Sequence, residues 1–424
     1  MKTPLVLLAL ATLAMPALRA ANDTDTAATA INTLGIDLLA KTGKPSENAL
    51  LSPYSIQEAL AMTYAGAAGK TRDEMAATLH FPKDAALLNK SFAALDKELA
   101  DIEAGSRQTV AYSKERGGPS EPVTLSVANR LYGQKGYAFR DSYLDAVKKY
   151  FGAPFAPVDF TRDAENARKE INGWVAEQTH KRIEDLIPKG GLDKDSRLVL
   201  VNAIYLKAAW QDEFNAQFTK PAPFHVKGGD AADVPAMNAR RQYGYAKRDD
   251  YTVVTLPYVD AGLQFTVLLP DGTNGLAALE AKLTPALLAG CADLKTERVD
   301  LSLPKFKIEP PLMALSDQLK ALGVKTAFDE PRGSADFDGI APRKPDDYLY
   351  ISEVFHKTFL ALDEHGTEAA AATAVVMMVG SAAHPQPPKV YQVHVDHPFL
   401  FAIQDCKTGA CLFLGRVTDP RDPR

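Results

Sequence analysis

Residues that often carry out chemistry occur in this sequence, but their spacing matches no catalytic motif. Asp363-Glu364-His365 places two carboxylates beside a histidine, yet no motif ties a nucleophile to them. The sequence contains no Gly-x-Ser-x-Gly, no supported Ser-x-x-Lys and no His-Glu-x-x-His, the signatures of common hydrolases. Gly69-Lys70-Thr71 looks like the end of a phosphate-binding loop, but a tyrosine stands where the first glycine is required. We therefore expect a protein that is not an enzyme, with an exported hydrolase as the alternative from another class.

Three cysteines are the next candidates for chemistry. Cys406 and Cys411 flank a predicted tight turn, and cysteines that face each other across a hairpin lie within reach of a disulfide if their side chains share a face. The spacing leaves two outcomes open, a bridge of local effect or two free thiols. We expect Cys291 to be buried. No histidine stands at a zinc-like spacing from these cysteines, so we expect neither a metal nor a cofactor.

The N-terminus has the pattern of a secretory signal peptide. Lys2 gives a positive start, residues 5–15 form an apolar run, and small residues follow. The run is too short for a permanent membrane helix. We expect residues 1–20 to be removed by cleavage after about Ala20 or Ala21, giving a secreted or periplasmic protein. A hydrophobic first helix of the fold is the alternative, and the polar residues 22–24 argue against it.

The overall charge excludes some partners. The formal net charge is −5, with no basic stripe of the kind that binds nucleic acid. No second apolar run approaches the length of a membrane span. We expect a monomer that binds neither nucleic acid nor membrane.

The elements that must position these residues change in type along the chain. Helical patterns occupy the first half: residues 27–39, a helix that starts at Ser52-Pro53 and stops at Gly66, a capping box at Thr71 and Glu74, and residues 164–183. Strand patterns occupy the second half: residues 198–206, 264–269, 299–303, 305–309, 358–362 and 390–395, and a hairpin over 398–417. Residues 105–122 read as an exposed loop. This order predicts an α+β fold with one domain, residues 21–424.

Residues 364–381 form the most informative segment. Its first half is small, its second half is apolar, and no proline occurs between Gly366 and Ala383. Alternate residues from Thr367 to Met377 are uncharged and would share one face of a strand, whereas Glu368 on the opposite face would stay at the surface. The segment is therefore able to become a strand inside a sheet. On composition alone, an alanine-rich linker or a short helix is equally open.

A family resemblance distinguishes these alternatives. The hinge of the serpin reactive loop resembles this segment nearly residue for residue, and the matching run is Glu364, Gly366, Thr367, Glu368, Ala369, Ala370, Ala371, Ala372 and Thr373. Other stretches that follow the family pattern, in the family's order, are Ser52-Pro53-x-Ser55, residues 126–132, 171–175 and 198–206 with Trp210, 256–258, 303–306 and 397–401. The resemblance covers essentially everything after the predicted signal peptide and is closest to exported members of bacterial type.

The resemblance implies a fold and a mechanism. The fold would be a helix-rich N-terminal part around three β-sheets, with an exposed reactive loop at about residues 364–389. A serine protease would attack this loop, form a covalent acyl complex and be trapped when the loop inserts into the main sheet. Ser52, Ser55, Asn202 and His356 match the family's polar cluster where the sheet opens, and Trp210 matches the place where insertion begins. The alternative role of Ser52 is helix capping.

The scissile bond is expected in a short region. Seventeen residues counted from Glu364 lead to Gly380, followed by Ser381, and Val379 or Met378 are alternatives because glycine is a poor specificity residue. No arginine or lysine occurs between Gly366 and Lys389, which argues against trypsin-like targets. We expect elastase-, chymotrypsin- or subtilisin-like proteases.

A non-inhibitory serpin that acts as a carrier or folding factor is the main alternative. Such relatives carry charged or bulky hinge residues, where this chain has Thr367 and alanines. No basic cluster occurs in residues 83–103, so the resemblance implies no polyanion cofactor.

Overall fold

The computed structural model of the chain describes residues 23–113, 118–119, 121–226, 231–368 and 389–423, except for the side chains of Asp23, Thr24 and Asn202. The predicted signal peptide, the hinge residues 369–373 and the scissile region Met378 to Ser381 lie outside the described residues.

The helices lie mainly in the first half of the chain. Their bounds are α1 Asp23–Leu39, α2 Pro53–Tyr64, α3 Gly69–Thr78, α4 Ala85–Ser113, α5 Asp141–Phe151, α6 Phe160–Gln178, α7 Leu276–Glu280, α8 Pro285–Gly290 and α9 Ser316–Leu322. The strands are β1 Ala49–Leu51, β2 Thr124–Gln134, β3 Phe155–Val158, β4 Leu198–Ala209, β5 Lys220–His225, β6 Ala231–Lys247, β7 Tyr251–Pro257, β8 Leu263–Pro270, β9 Thr296–Pro304, β10 Phe306–Ile308, β11 Met313–Ala314, β12 Phe355–His356, β13 Leu360–Asp363, β14 Gly366–Thr367, β15 Tyr391–His394, β16 Phe399–Asp405 and β17 Cys411–Val417.

The described strands form three sheets. A nine-stranded sheet has the order β1-β17-β16-β8-β7-β6-β9-β15, with β5 paired to β6. A six-stranded sheet, called the central sheet below, has the order β10-β13-β14-β4-β2-β3. A third sheet pairs β11 with β12. The predicted α+β class and the three sheets are therefore confirmed.

Helix α2 supports the central sheet from inside. Ser52 caps it by accepting the Ser55 amide at 3.2 Å, and Pro53 occupies its first turn, as predicted. Eleven of its twelve residues are buried, because it packs against both β4 of the central sheet and β17 of the nine-stranded sheet. Polar residues on α2 are therefore held beneath β4.

Helix α6 covers the outer face of the same sheet. Its apolar residues Ile171 and Val175 are fully buried in one cluster with Val201 and Ala203 of β4 and Ala128 of β2. The central sheet thus lies between two helices, and a strand added beside β4 would contact both layers.

The predicted capping box of α3 is wrong. The helix begins at Gly69, and the Thr71 hydroxyl donates instead to the Thr326 hydroxyl at 3.1 Å. The Glu74 carboxylate accepts the backbone amides of Lys325 and Thr326 at 2.9 and 2.7 Å. Both side chains bind a segment distant in sequence, so a tertiary contact replaces the local one.

The loop predicted at residues 105–122 is partly wrong, because α4 continues to Ser113. Ser106 and Val110 are buried, the Ser106 hydroxyl accepts the Val123 amide at 3.0 Å, and Thr109 donates to Asp260 at 2.8 Å. The polar residues that suggested a loop instead dock this helix on its neighbours.

The open question about Cys406 and Cys411 has a structural answer. All three cysteines, each within the described ranges, are free thiols. A register shift in the β16–β17 hairpin sets Cys411 opposite Gln404, so Cys406 has no cysteine facing it. Cys291 is buried, as expected, and burial raises the pKa of the Cys291 and Cys406 thiols to about 12.

Candidate functional site: the hinge and the opening of the central sheet

The first part of the predicted hinge already forms a strand. Gly366 and Thr367 make up β14, which lies between β13 and β4 and pairs antiparallel with both. Thr367 stands opposite Leu362 of β13 and Ala208 of β4. Among the described residues, no ladder joins β4 directly to β13. These two hinge residues therefore occupy the position of a strand between them.

Gly366 is the only residue type that fits its position. Its φ is +147°, a region that side chains rarely adopt. A Cβ atom at this site would lie 2.0 Å from the Ala208 carbonyl oxygen and 2.8 Å from the Ala209 Cα. A residue without a side chain is therefore required where the chain turns back between β13 and β4.

Thr367 is seated in a buried aromatic socket. The residue is 2% exposed, and its hydroxyl shares a hydrogen bond with the Tyr258 hydroxyl. The Tyr258 ring stacks on Trp210, with centroids 4.7 Å apart and planes 5° apart. Burial raises the pKa of Tyr258 far above its usual value, so its hydroxyl stays protonated and able to donate. The Thr367 hydroxyl therefore ends at a buried pair of stacked aromatic rings.

Trp210 fixes the turn that leads into the hinge. Its indole Nε1 donates to the Asp363 carbonyl at 2.9 Å, and its backbone amide donates to the His365 carbonyl at 2.8 Å. The sequence resemblance placed Trp210 where insertion begins. In the structure it contacts the residues on either side of that turn.

Glu364 anchors the same turn. Its carboxylate is 2.6 Å from the Lys305 ammonium and accepts the Thr219 hydroxyl at 2.7 Å. Burial acts to raise the pKa of Glu364, but these two partners outweigh it and hold the pKa below its usual value. The neighbouring His365 pairs with Glu213 at 2.7 Å. The base of the predicted loop is thus held by the Glu364–Lys305 ion pair and by the contact of His365 with Glu213, while its next two residues enter the sheet.

Three residues of the predicted sheet-opening cluster, Ser52, Ser55 and His356, lie together beneath the central sheet. The Ser52 amide donates to His356 Nε2 at 3.1 Å, so this nitrogen carries no proton. Burial lowers the pKa of His356 to about 3, which keeps the imidazole neutral. Ser55 and His356 both line the cavity described below. Asn202 lies on β4, opposite Asn129 of β2, but its side chain lies outside the described residues.

Sequence analysis did not identify Glu58 and Asn129, two residues that form a contact beneath the central sheet. The Asn129 amide of β2 donates to the buried Glu58 carboxylate of α2 at 2.6 Å. Glu58 follows Ser55 by three residues and so shares its helical face, which was an available signal. Nothing in the sequence, however, identifies Asn129 as its partner.

A cavity of about 430 Å³ lies below the hinge. The cavity is lined by the start of β4, residues 348–356 and several residues of α2, and Val199, Val201 and Val354 are among its apolar contacts. It separates β4 from the segment that leads into β13. A cavity therefore lies on the line along which β14 would continue, at the end of that line farthest from the hinge.

Within the described ranges, no group of three or more histidine, cysteine or acidic residues is arranged to hold a metal ion. None of the described helices is both long and apolar enough to cross a bilayer.

Sequence comparisons match this chain to proteins of one family. A family model described as "Serpin (serine protease inhibitor)" matches residues 29–420. The "Uncharacterized serpin-like protein" of Thermococcus kodakarensis is 36% identical over 394 residues, which cover 93% of this chain and 85% of that protein. The "Leukocyte elastase inhibitor" of Xenopus laevis is 36% identical over 382 residues, 88% of this chain and 93% of that protein.

Solved structures give the same match. "Cleaved Serpin 42Da" superimposes with a TM-score of 0.76 at 28% identity, covering 95% of this chain and all of that one. "Crystal Structure of a Thermophilic Serpin, Tengpin, in the Native State" gives 0.75 at 27% identity, covering 94% of each chain.

Proposed function

The chain belongs to the serpin family, and we propose that it traps serine proteases by inserting its cleaved reactive loop into the central sheet. The family description names inhibitors, in agreement with the expectation that the chain is not an enzyme. The observation that carries the proposal is the position of β14. Its two residues pair in register with β4 and β13, and the cavity lies farther along the same line, between the start of β4 and residues 348–356.

Extending that register gives each loop residue a place in the inserted strand. Thr367 faces Ala208 and Leu362, and the pairing is antiparallel on both sides. Each residue further along the loop would therefore pair with the preceding residue of β4 and with the preceding residue of the segment that leads into β13. Thr373 would then lie between Asn202 and His356. The cluster that the sequence resemblance assigned to sheet opening would thus receive a small hydroxyl residue of the hinge.

The lower part of the loop would fill the cavity. Val375 would lie between Leu200 and Val354, and Met377 between Leu198 and Ser352, and these four partners all line the cavity. The inward-facing residues from Thr367 to Met377 carry no charge, so none would leave an unpaired ion in the core. The loop therefore suits the opening in both register and chemistry.

Insertion would carry the protease across the molecule. Met378 to Ser381, which contain the proposed scissile bond, would lie just beyond the first residue of β4. Twelve residues from Thr367 at about 3.3 Å each give a displacement of about 40 Å. A protease still bound to the acyl side would be moved to the far end of the central sheet before it can release the loop.

The proposed targets are elastase-, chymotrypsin- or subtilisin-like proteases. The region from Met378 to Ser381 offers small or apolar residues to a specificity pocket, and the loop has no arginine or lysine before Lys389. Similar proteins carry the name "Leukocyte elastase inhibitor", which favours the first of these classes.

Export is part of the proposal. Residues 1–20 have the order of a signal peptide, and we infer a mature, monomeric protein that is periplasmic or secreted. The N-terminal sequence of the protein recovered from an expressing cell tests this directly. A mature chain that still begins at Met1 would contradict export without affecting the inhibitory mechanism.

A protease panel tests the inhibitory function. The purified protein is incubated with elastase-, chymotrypsin-, subtilisin- and trypsin-like enzymes, and complexes that survive SDS are identified by mass and by the new N-terminus. We expect a covalent complex with at least one of the first three and a cut within residues 377–382. Rapid turnover of the loop by every protease, with no complex, would favour a non-inhibitory carrier. Labelling of the protein by a probe for active serines would instead support the alternative that it is a hydrolase.

A further inference from the structure

Glu368, the last described residue before the loop, stops the hinge strand. Its amide still donates to the Ala361 carbonyl at 2.9 Å, as a strand residue would. Its φ, however, is +51°, in the left-handed region that costs a residue with a side chain about 1 kcal/mol or more. A strand cannot continue through this conformation. Any deeper insertion must first convert Glu368 to an extended backbone.

The alternation of the hinge residues predicts that Glu368 stays at the surface when the loop is a strand. In this structure, where the strand ends before Glu368, its side chain is mostly buried. It is 10% exposed and accepts a hydrogen bond from Arg182, whose own side chain is 49% exposed. The Arg182 guanidinium also lies over the Phe359 ring, 5.0 Å from its centroid. Arg182 therefore links the hinge to the segment just before β13.

The carboxylate of Glu368 depends on nearby positive charge. Burial raises the pKa of Glu368 above its usual value, and the neighbouring groups that oppose this are Arg182, Lys207 and His180. Lys207 is also engaged by Glu121 at 3.1 Å, and His180 packs on the Tyr205 ring at 4.8 Å. Arg182 is the cation that hydrogen-bonds Glu368 directly.

The backbone after α6 is shaped to deliver this arginine. His180 and Lys181 have φ values of 50° and 61°, two consecutive left-handed residues without glycine. They follow the end of α6 and turn Arg182 toward the hinge. Because α6 covers the outer face of the central sheet, the hinge is joined through Arg182 to the layer that lies over the insertion path.

We propose that Arg182 is a positioning residue: its contact with Glu368 holds Gly366 and Thr367 docked as β14. Without Arg182, a mostly buried carboxylate would lose its direct partner, and the hinge would move out so that Glu368 reaches water. Thr367 would then leave the Tyr258 socket. The consequence for inhibition rests on the proposed insertion mechanism, because an undocked hinge lacks the two residues from which the inserted strand would grow.

Hydrogen exchange on the free, full-length protein tests the docking step. In Arg182→Ala, we expect the amides of residues 366–368 to exchange at least about fivefold faster than in the wild type, the effect of losing about 1 kcal/mol from a partly exposed charged pair. Arg182→Lys should restore part of the protection. Arg162→Ala, which removes an exposed arginine of α6 paired with Asp159, is the matched control and should leave exchange unchanged.

Charge neutralisation separates a positioning role from a general loss of structure. In Glu368→Gln the buried charge is gone, so adding Arg182→Ala should change exchange by less than about twofold. The raised pKa of Glu368 gives a pH test of the same idea. As the pH falls and the carboxylate takes a proton, the difference between wild type and Arg182→Ala should shrink.

The outcomes are distinct. Equal exchange of residues 366–368 in wild type and Arg182→Ala would overturn the proposal, as would an Arg182→Ala effect of full size in the Glu368→Gln background. If the wild type forms no covalent complex with any protease, the inhibitory function fails, while the exchange data still decide the role of Arg182. If complexes form, more molecules of the Arg182→Ala variant than of the Arg162→Ala variant should be consumed for each protease molecule trapped.

Discussion

Replacing Thr367 with arginine should convert the protein from an inhibitor into a substrate. The Thr367 socket is formed by Tyr258 and Trp210, which are 0% and 1% exposed, so an arginine there would bury a charge without a partner. Such burial costs several kcal/mol. If about 3 kcal/mol of this raises the barrier to insertion, insertion slows by about 100-fold, because 1.4 kcal/mol is a factor of ten.

A smaller change at the same position calibrates this estimate. Thr367→Val keeps the shape but removes the hydroxyl, leaving the buried Tyr258 hydroxyl without that partner, at a cost of about 1 kcal/mol or somewhat more. We therefore expect the amount of inhibitor consumed per protease trapped to increase from the wild type to Thr367→Val and again to Thr367→Arg. Thr161→Arg, at an exposed position of α6, is the control for adding a charge.

The assay is a titration of a fixed amount of protease, followed by denaturing gels that separate covalent complex from cleaved protein. Insertion and deacylation compete for the same acyl intermediate, so slower insertion appears as more cleaved protein and less complex. A Thr367→Arg variant that forms complex at the wild-type stoichiometry would refute the role given to the socket.

Three further predictions follow from the structure. Gly366→Ala should undock the hinge, because a Cβ would clash with a β4 carbonyl, and should raise amide exchange in β14. The pKa of His356 is about 3 in the folded protein against 6.5 in the unfolded chain, so the unfolded chain binds a proton first as the pH falls. The free energy of unfolding should therefore decrease between about pH 6.5 and pH 3, by up to about 1.4 kcal/mol per pH unit. Urea titrations over this range should show a smaller pH dependence for His356→Gln. Since Cys291, Cys406 and Cys411 are free, a reductant should leave Tm unchanged, and three thiols should titrate in denaturant; fewer than three would reveal a disulfide.

Much of the fold follows from local patterns in the sequence. The apolar run at 198–206 predicts β4 because a strand covered on both faces needs apolar residues throughout. Ser52-Pro53 predicts the start of α2 because the cap and the proline satisfy the same helix end. The hairpin of β16 and β17 is predicted by two apolar runs around one short turn.

The errors occur where distant contacts override local signals. Thr71 and Glu74 have capping-box spacing, but both are used to bind the segment at Thr326. The polar stretch after Gly105 stays helical because Thr109 docks on Asp260. No sequence window contains both partners of such contacts, so propensity alone points the wrong way.

The candidate site shows the same division. The glycine and the small, uncharged residues of the hinge are visible in the sequence, because their requirements are local to a strand that must turn and enter a core. The Tyr258 socket, the Glu58–Asn129 contact and Arg182 are not, because each joins elements far apart in the chain.

The thermal stability of the cleaved protein tests the central claim most directly. The loop is cut within residues 377–382 by a protease that is then removed, and Tm is compared with that of the intact protein. Insertion of the cut loop as a full strand should raise Tm by about 5 °C or more, because several kcal/mol are gained and a chain of this length shifts by roughly 1–2 °C per kcal/mol. An unchanged or lower Tm after clean cleavage would contradict insertion of the loop into the central sheet.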